Sequence, residues 1–268
     1  MVRHAAGLTA GSVGRRCGGV AQEGSDTMAR RIFYGSEDSQ HGHFYPGDAD
    51  KPLITLVHGG FWRSLYTMKM EAKVAKDLSD RGYPVWNVEY RRVGEPGVTW
   101  PILSQDVLAA IDYGTAKLAK GAGHIVAAHS AGATLAVWAA AQRPDDLLGV
   151  ISRGGVLDLI ERGDGDQSMR LLFDLGPNAN PRLLKRTFAE ASPVGQMPFT
   201  TPVRALHGRL DEQVPYQLSE WFLQKAQENG MNDVTLTMIE KEGHDDFLEP
   251  GSKGHAATVA AIEELSGA

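Results

Sequence analysis

Short apolar runs alternate with stretches of helical period along nearly the whole chain after Met28. Leu53 to Val57 reads as a buried strand, and Pro84 to Tyr90, Ile125 to Ala128, Leu148 to Ser152, Val203 to Leu206 and Val234 to Ile239 read as further strands. Between them fall helical stretches: Tyr66 to Asp80, with Met70, Val74 and Leu78 on one face, Ile102 to Leu118, Ala131 to Gln142 and Tyr216 to Glu228. Ala256 to Leu265 closes the chain as a helix. Continuous apolar strands separated by helices leave a chain few options. They predict an α/β fold: a mostly parallel central sheet covered by helices on both faces.

A chain of 268 residues, 42% of them hydrophobic, buries such a core as one domain, here 28–268. The alternation breaks only at 156–201, which is too long for a simple crossover. It is expected to form a small cap over the strand ends, with a plain surface insertion as the alternative. Residues 1–27 are rich in Gly, Ala and Arg and lack hydrophobic periodicity. They are expected to be a disordered extension, or an upstream start with Met28 as the working first residue; an organellar transit peptide is the other reading. A formal net charge of -6 argues against nucleic acid as partner. No run approaches the roughly 18 apolar residues of a bilayer span, so no membrane partner is expected. The one cysteine, Cys17, rules out an internal disulfide or a thiolate metal site and fits a reducing, cytoplasmic setting. A homodimer is compatible with this composition.

Chemistry concentrates at the ends of the predicted strands. Ala128-His129-Ser130-Ala131-Gly132 joins the Ile125 strand to the following helix, the layout of a tight turn that exposes a serine hydroxyl at the tip of a sheet. A serine hydroxyl needs a base to take its proton and an acid to orient that base. Asp211 follows the Val203 strand, and His244 follows the last strand within Gly243-His244-Asp245-Asp246-Phe247. The chain order Ser130, Asp211, His244 is the one such a sheet requires. Glu212 and Asp158 are rivals for the acid. His129 and His207 are expected to shape turns, and His41-Gly42-His43 to be a solvated loop, since no third ligand lies at metal spacing. No metal or other cofactor is expected.

Attack on an acyl carbon also needs N–H donors for the developing oxyanion. Ala131 is one candidate, and His58-Gly59-Gly60-Phe61-Trp62 supplies the rest: Gly60 and Phe61 as donors, with Gly59 bending the loop. Trp62, Tyr66 and Trp100 are candidate walls of the substrate pocket, with ordinary core packing as the alternative.

From about Tyr34 to Ala261 the chain resembles the α/β-hydrolase serine esterases, and within them the arylformamidase (kynurenine formamidase) and hormone-sensitive-lipase-like branch. The carrying residues are His58-Gly59-Gly60-Phe61-Trp62, Ala128-His129-Ser130-Ala131-Gly132, Asp211 before Val214-Pro215, and Gly243-His244 with Phe247. Kynurenine formamidases usually have tyrosine where Phe61 stands, and Ala128 replaces a glycine of the pattern. The resemblance implies metal-free acyl transfer through an acyl-serine, on a small-molecule ester or amide. Hydrolysis of N-formylkynurenine and a broader short-chain carboxylesterase or deacetylase activity are both expected from it. A non-catalytic ligand-binding protein on the same fold is the third reading.

Overall fold

The computed structural model describes residues 29–143, 145–162, 167–175 and 180–267; the expected extension at 1–27 lies outside them. Among the described residues one sheet forms from β1 (Arg30–Phe33), β2 (His41–Tyr45), β3 (Leu53–Val57), β4 (Val85–Val88), β5 (His124–His129), β6 (Gly149–Arg153), β7 (Val203–Gly208) and β8 (Val234–Ile239). Their spatial order is β1-β2-β4-β3-β5-β6-β7-β8. The β1–β2 and β2–β4 pairings are antiparallel, and every pairing from β4 across to β8 is parallel.

Side chains of the central strands alternate between two cores, as the period of two in an extended chain requires. Leu53 and Val57 join Trp86, Val88, Val126 and Val150 beneath α2 (Trp100–Tyr113), α3 (Ala131–Gln142) and α7 (Gln217–Glu228). Ile54 and Leu56 join Val85, Ile125, Ala127 and Ile151 beneath α1 (Ala72–Asp80) and α8 (Lys253–Ser266). Both faces are covered, so the strands carry no polar stripe.

Two local expectations give way. His41-Gly42-His43 is not a loop but most of the antiparallel strand β2, with Gly42 opposite Val88. A Cβ on Gly42 would stand 2.7 Å from the Trp86 ring, so the glycine lets a strand of weak apolar signal lie flat on an indole. The helix expected from Tyr66 starts later. Thr67 accepts a hydrogen bond from Lys69 N, a short 3₁₀ turn spans Met68–Glu71, and α1 begins only at Ala72.

In the described part of 156–201 lie α4 (Leu159–Arg162), α5 (Gln167–Leu172) and α6 (Pro181–Ala191). Phe173 stacks between Phe188 and Trp100, at ring separations of 5.3 and 5.7 Å, and Trp100 meets Trp138 edge-on. This aromatic chain ties the segment to α2 and α3.

His124 opens β5 fully enclosed, bonded through Nε2 to Thr55 Oγ1 at 2.7 Å and through Nδ1 to Thr115 Oγ1 at 2.9 Å. Burial pushes its pKa down from 6.5 to about 3. The unfolded chain therefore binds a proton below pH 6.5 that the folded chain refuses until about 3. His124's contribution is complete above that window and falls by about tenfold in the folding equilibrium per pH unit within it. The drop in urea midpoint between neutral pH and about pH 5 should shrink in His124→Gln; an unchanged drop would assign the acid sensitivity to other groups.

Candidate active site

β5 runs straight into the serine. Ser130 adopts φ 55°, ψ −125°, a left-handed conformation that costs a non-glycine residue on the order of 1–3 kcal/mol. Hydrogen bonds on both sides hold it there: Ser130 N donates to Arg153 O on β6, and Ala133 N donates to Ser130 O, each at 3.0 Å. The neighbouring glycines are needed for close approach. A Cβ on Gly132 would run into the carbonyl oxygens of Val57 and His58, and one on Gly59 would stand 2.7 Å from Ser130 Cβ. Thus Gly59 seats the loop after β3 against the serine turn rather than bending it. The bend falls on the next three residues, with φ of 105° at Gly60, 55° at Phe61 and 59° at Trp62.

A polar scaffold fixes that loop. His58 Nδ1 donates to Gly59 O at 2.7 Å, and Nε2 lies 2.8 Å from Glu89 Oε1. The ring stacks on Tyr90, whose hydroxyl donates to His58 O at 2.9 Å. Burial works to raise the Glu89 pKa, but the His58 contact, the Arg92 guanidinium and the Met68 N–H together hold it below the ordinary value. Glu89 and Arg92 therefore buttress the loop, while Arg91 pairs with Asp106 on α2.

Asp211 and His244 meet across the ends of β7 and β8. His244 Nδ1 donates to Asp211 Oδ2 at 2.6 Å, while Oδ1 accepts from Gln213 N at 2.9 Å and Val214 N at 2.7 Å. The Asp211 carboxylate is fully covered by protein. Burial alone would raise its pKa; the His207 and His244 rings and the Val214 N–H hold it well below the usual carboxylate range. The rival acids are elsewhere. Glu212 is exposed, and Asp158 caps α4 through Ile160 N and Glu161 N and accepts from Trp221 Nε1 at 2.9 Å.

His244 and Ser130 open on one cavity of about 280 Å³, lined also by Gly60, Phe61, Tyr66, Met70 and Leu248. No hydrogen bond joins Ser130 Oγ to the imidazole among the described residues; such contacts tighten when substrate is engaged. Among the described residues Ala131 N, at the first turn of α3, and Phe61 N donate to no backbone acceptor. His129 donates from Nε2 to His244 O at 3.0 Å. Burial first, then the nearby His244 and Arg153, keep the His129 pKa well below its ordinary value, so a neutral ring holds the His244 carbonyl.

Of the expected pocket walls, Tyr66 faces the cavity and Trp62 and Trp100 do not. Trp62 is 2% exposed, in the core on the α2–α3 side, and Trp100 packs on Trp138 and Phe173. Large indoles gain more from full enclosure than from lining a small polar cleft. Met70 and Leu248 do line it; their helical context carried no signal for this. His207, expected to shape a turn, meets Val214 O across the loop at 3.0 Å and also brings its Nε2 to 3.2 Å from Asp211 Oδ2.

Serine, aspartate and histidine in that chain order, at the carboxyl ends of parallel strands, are the arrangement of the α/β-hydrolases, and the chain has that fold. Its sequence goes a step further. The profile of the prolyl oligopeptidase family matches residues 103–264, and the chain belongs to that family. A second profile, BD-FAE, matches residues 45–153. No curated protein is significantly similar in sequence. Among solved structures, a truncated carbohydrate esterase from gut microbiota aligns at TM-score 0.76 and 17% identity, over 91% of this chain and 99% of its own. A thermophilic esterase of the Planctomycetes species Thermogutta terrifontis aligns at 0.67 and 19%, over 88% and 91%. Esterase B of Lactobacillus rhamnosis aligns at 0.73 and 17%, over 91% and 88%.

Proposed function

We propose that this protein is a serine esterase that cleaves small carboxylic esters or an aryl formamide through an acyl-serine. The observation that carries the reading is the 2.6 Å contact of His244 Nδ1 with the buried Asp211 carboxylate, beside a strained Ser130 on a shared cavity. Ser130 Oγ bonds to the acyl carbon as its proton passes to His244 Nε2. The carbonyl electrons move onto oxygen, where the N–H groups of Ala131, Phe61 and Gly60 stabilise them by roughly 3 kcal/mol per donor. Collapse expels the alcohol or arylamine, which leaves with the proton from His244. Water then attacks the acyl-serine by the same route and regenerates Ser130. Asp211 holds the imidazole in the tautomer that keeps Nε2 free to accept.

A cavity of about 280 Å³ suits a short acyl group. Phe61 and Tyr66, tilted at 6.1 Å, offer aromatic walls to an aryl leaving group, of a formamide or of an ester. Three structural neighbours bear the name esterase, which agrees with ester cleavage. The test is turnover of N-formylkynurenine and of p-nitrophenyl acetate, with Ser130→Ala as the blank. Serine-dependent turnover of both, and fluorophosphonate labelling lost in Ser130→Ala, are expected. Turnover of the ester alone would leave a short-chain carboxylesterase or deacetylase. Labelling that survives Ser130→Ala would remove the serine as nucleophile, and no labelling of the wild type would favour a non-catalytic binding protein.

A further inference from the structure

We propose that His207 is a positioning residue for this reaction, acting through Asp211; the inference rests on the serine-esterase reading. His207 is completely buried at the end of β7 and makes three polar contacts. Its Nε2 donates to Val214 O at 3.0 Å and lies 3.2 Å from Asp211 Oδ2. Both of those oxygens can only accept, so Nε2 carries the ring proton. The other nitrogen, Nδ1, lies 2.7 Å from the hydroxyl of Ser219, a fully buried residue of α7, and accepts its proton.

The loop that carries Asp211 is thereby closed from within. Val214 N donates to Asp211 Oδ1 at 2.7 Å, while Val214 O receives the His207 proton. One ring thus grips both the loop and the oxygen that faces His244, and α7 grips the ring. The carboxylate has a single orientation in which Oδ1 takes the two loop amides and Oδ2 takes the two histidines. Orientation of the acid fixes the imidazole, so His207 sets how often His244 Nε2 faces Ser130 without touching substrate itself. The signal for this lies in the spacing of His207-Gly208-Arg209-Leu210-Asp211: the four-residue step brings both side chains to one point because the chain turns at Arg209 and Leu210, closed by Asp211 N donating to Gly208 O at 3.2 Å, while Gly208 ends β7 in close contact with the next loop. A Cβ there would stand 2.5 Å from Glu242 O.

The experiment compares His207→Gln, whose longer amide keeps a donor near Asp211, with His207→Asn, whose donor stops short. Each is made alone and in an Asp211→Asn background, with p-nitrophenyl acetate as substrate. His207→Asn should lower kcat by about 10- to 100-fold, the equivalent of one hydrogen bond to a charged group, with KM within about twofold. His207→Gln should recover most of that loss. In the Asp211→Asn background the two should differ by less than about twofold, since the coupling runs through the carboxylate. Equal kcat in His207→Gln and His207→Asn, or the same fold-loss with and without Asp211, would overturn the assignment. Wild-type labelling by fluorophosphonate is read in parallel. Its absence would sink the esterase reading, whereas intact labelling with indifferent His207 variants would sink this inference alone.

Discussion

Asp211→Asn should lower kcat by about 10³- to 10⁴-fold while leaving the fold intact, and the reason lies in which atoms the loop amides hold. Gln213 N and Val214 N both donate to Oδ1, so an asparagine must keep its oxygen there. Its amide NH₂ then occupies the Oδ2 position, facing His244 Nδ1 at 2.6 Å and His207 Nε2 at 3.2 Å. A donor against Nδ1 drives the His244 proton to Nε2, the tautomer that cannot take a proton from Ser130. Asp158→Asn provides the contrast. Its Oδ1 caps α4 and its Oδ2 accepts from Trp221, neither bonding His244; an asparagine keeps the cap and turns its NH₂ on the Trp221 N–H, so turnover should stay within about twofold with stability lowered by about 1 kcal/mol for that lost bond. Steady-state kinetics on the two purified variants decide the matter; equal losses would mean that Asp211 is not the acid.

The largest stability effect is expected beneath the site, at a buried ion pair. Arg153 Nη2 lies 2.7 Å from Glu71 Oε1, with both side chains at 0% exposure. Nε and Nη1 of the arginine and Oε2 of the glutamate have no further partner among the described residues. The pair ties the turn before α1 to the end of β6, whose Arg153 carbonyl accepts from Ser130 N. Glu71→Ala strands a guanidinium in the core and should cost about 3–5 kcal/mol, read as a lower urea midpoint at unchanged m. A Glu71→Leu, Arg153→Met double variant removes both charges and should recover most of the loss, because desolvating the ions offsets much of their attraction. If the double variant were less stable than either single one, the pair would be a net stabiliser and this account of it wrong.

Much of the fold is legible in the amino-acid sequence. Ile125–Ala128 is apolar at every position and Leu53–Val57 at every position but Thr55, so strands covered on both faces follow from hydrophobic burial. β2 was not legible, because His41 and His43 suppress the alternation, and the surface that receives Gly42 is the Trp86 ring of another strand. The same division runs through the site. Gly59, Gly60 and Gly132 announce close approach by being glycine, but what approaches each of them is another segment of the chain. For the aromatics nothing local distinguishes Tyr66, which lines the cavity, from Trp62, which sits in the core: apolar area favours burial in either place.

By itself, the sequence determined the alternation of strand and helix, and with it a parallel sheet whose loops after β5, β7 and β8 gather Ser130, Asp211 and His244 at one edge. Chain order suffices for that, since a right-handed crossover returns every strand in the same direction. The tertiary structure alone decided that Asp211 rather than Glu212 or Asp158 meets the imidazole, and that a second histidine stands behind it. Those choices turn on a few ångströms between residues that are tens of positions apart. Such distances are set by the register of β7 on β8 and the packing of α7, which no residue's own propensity records.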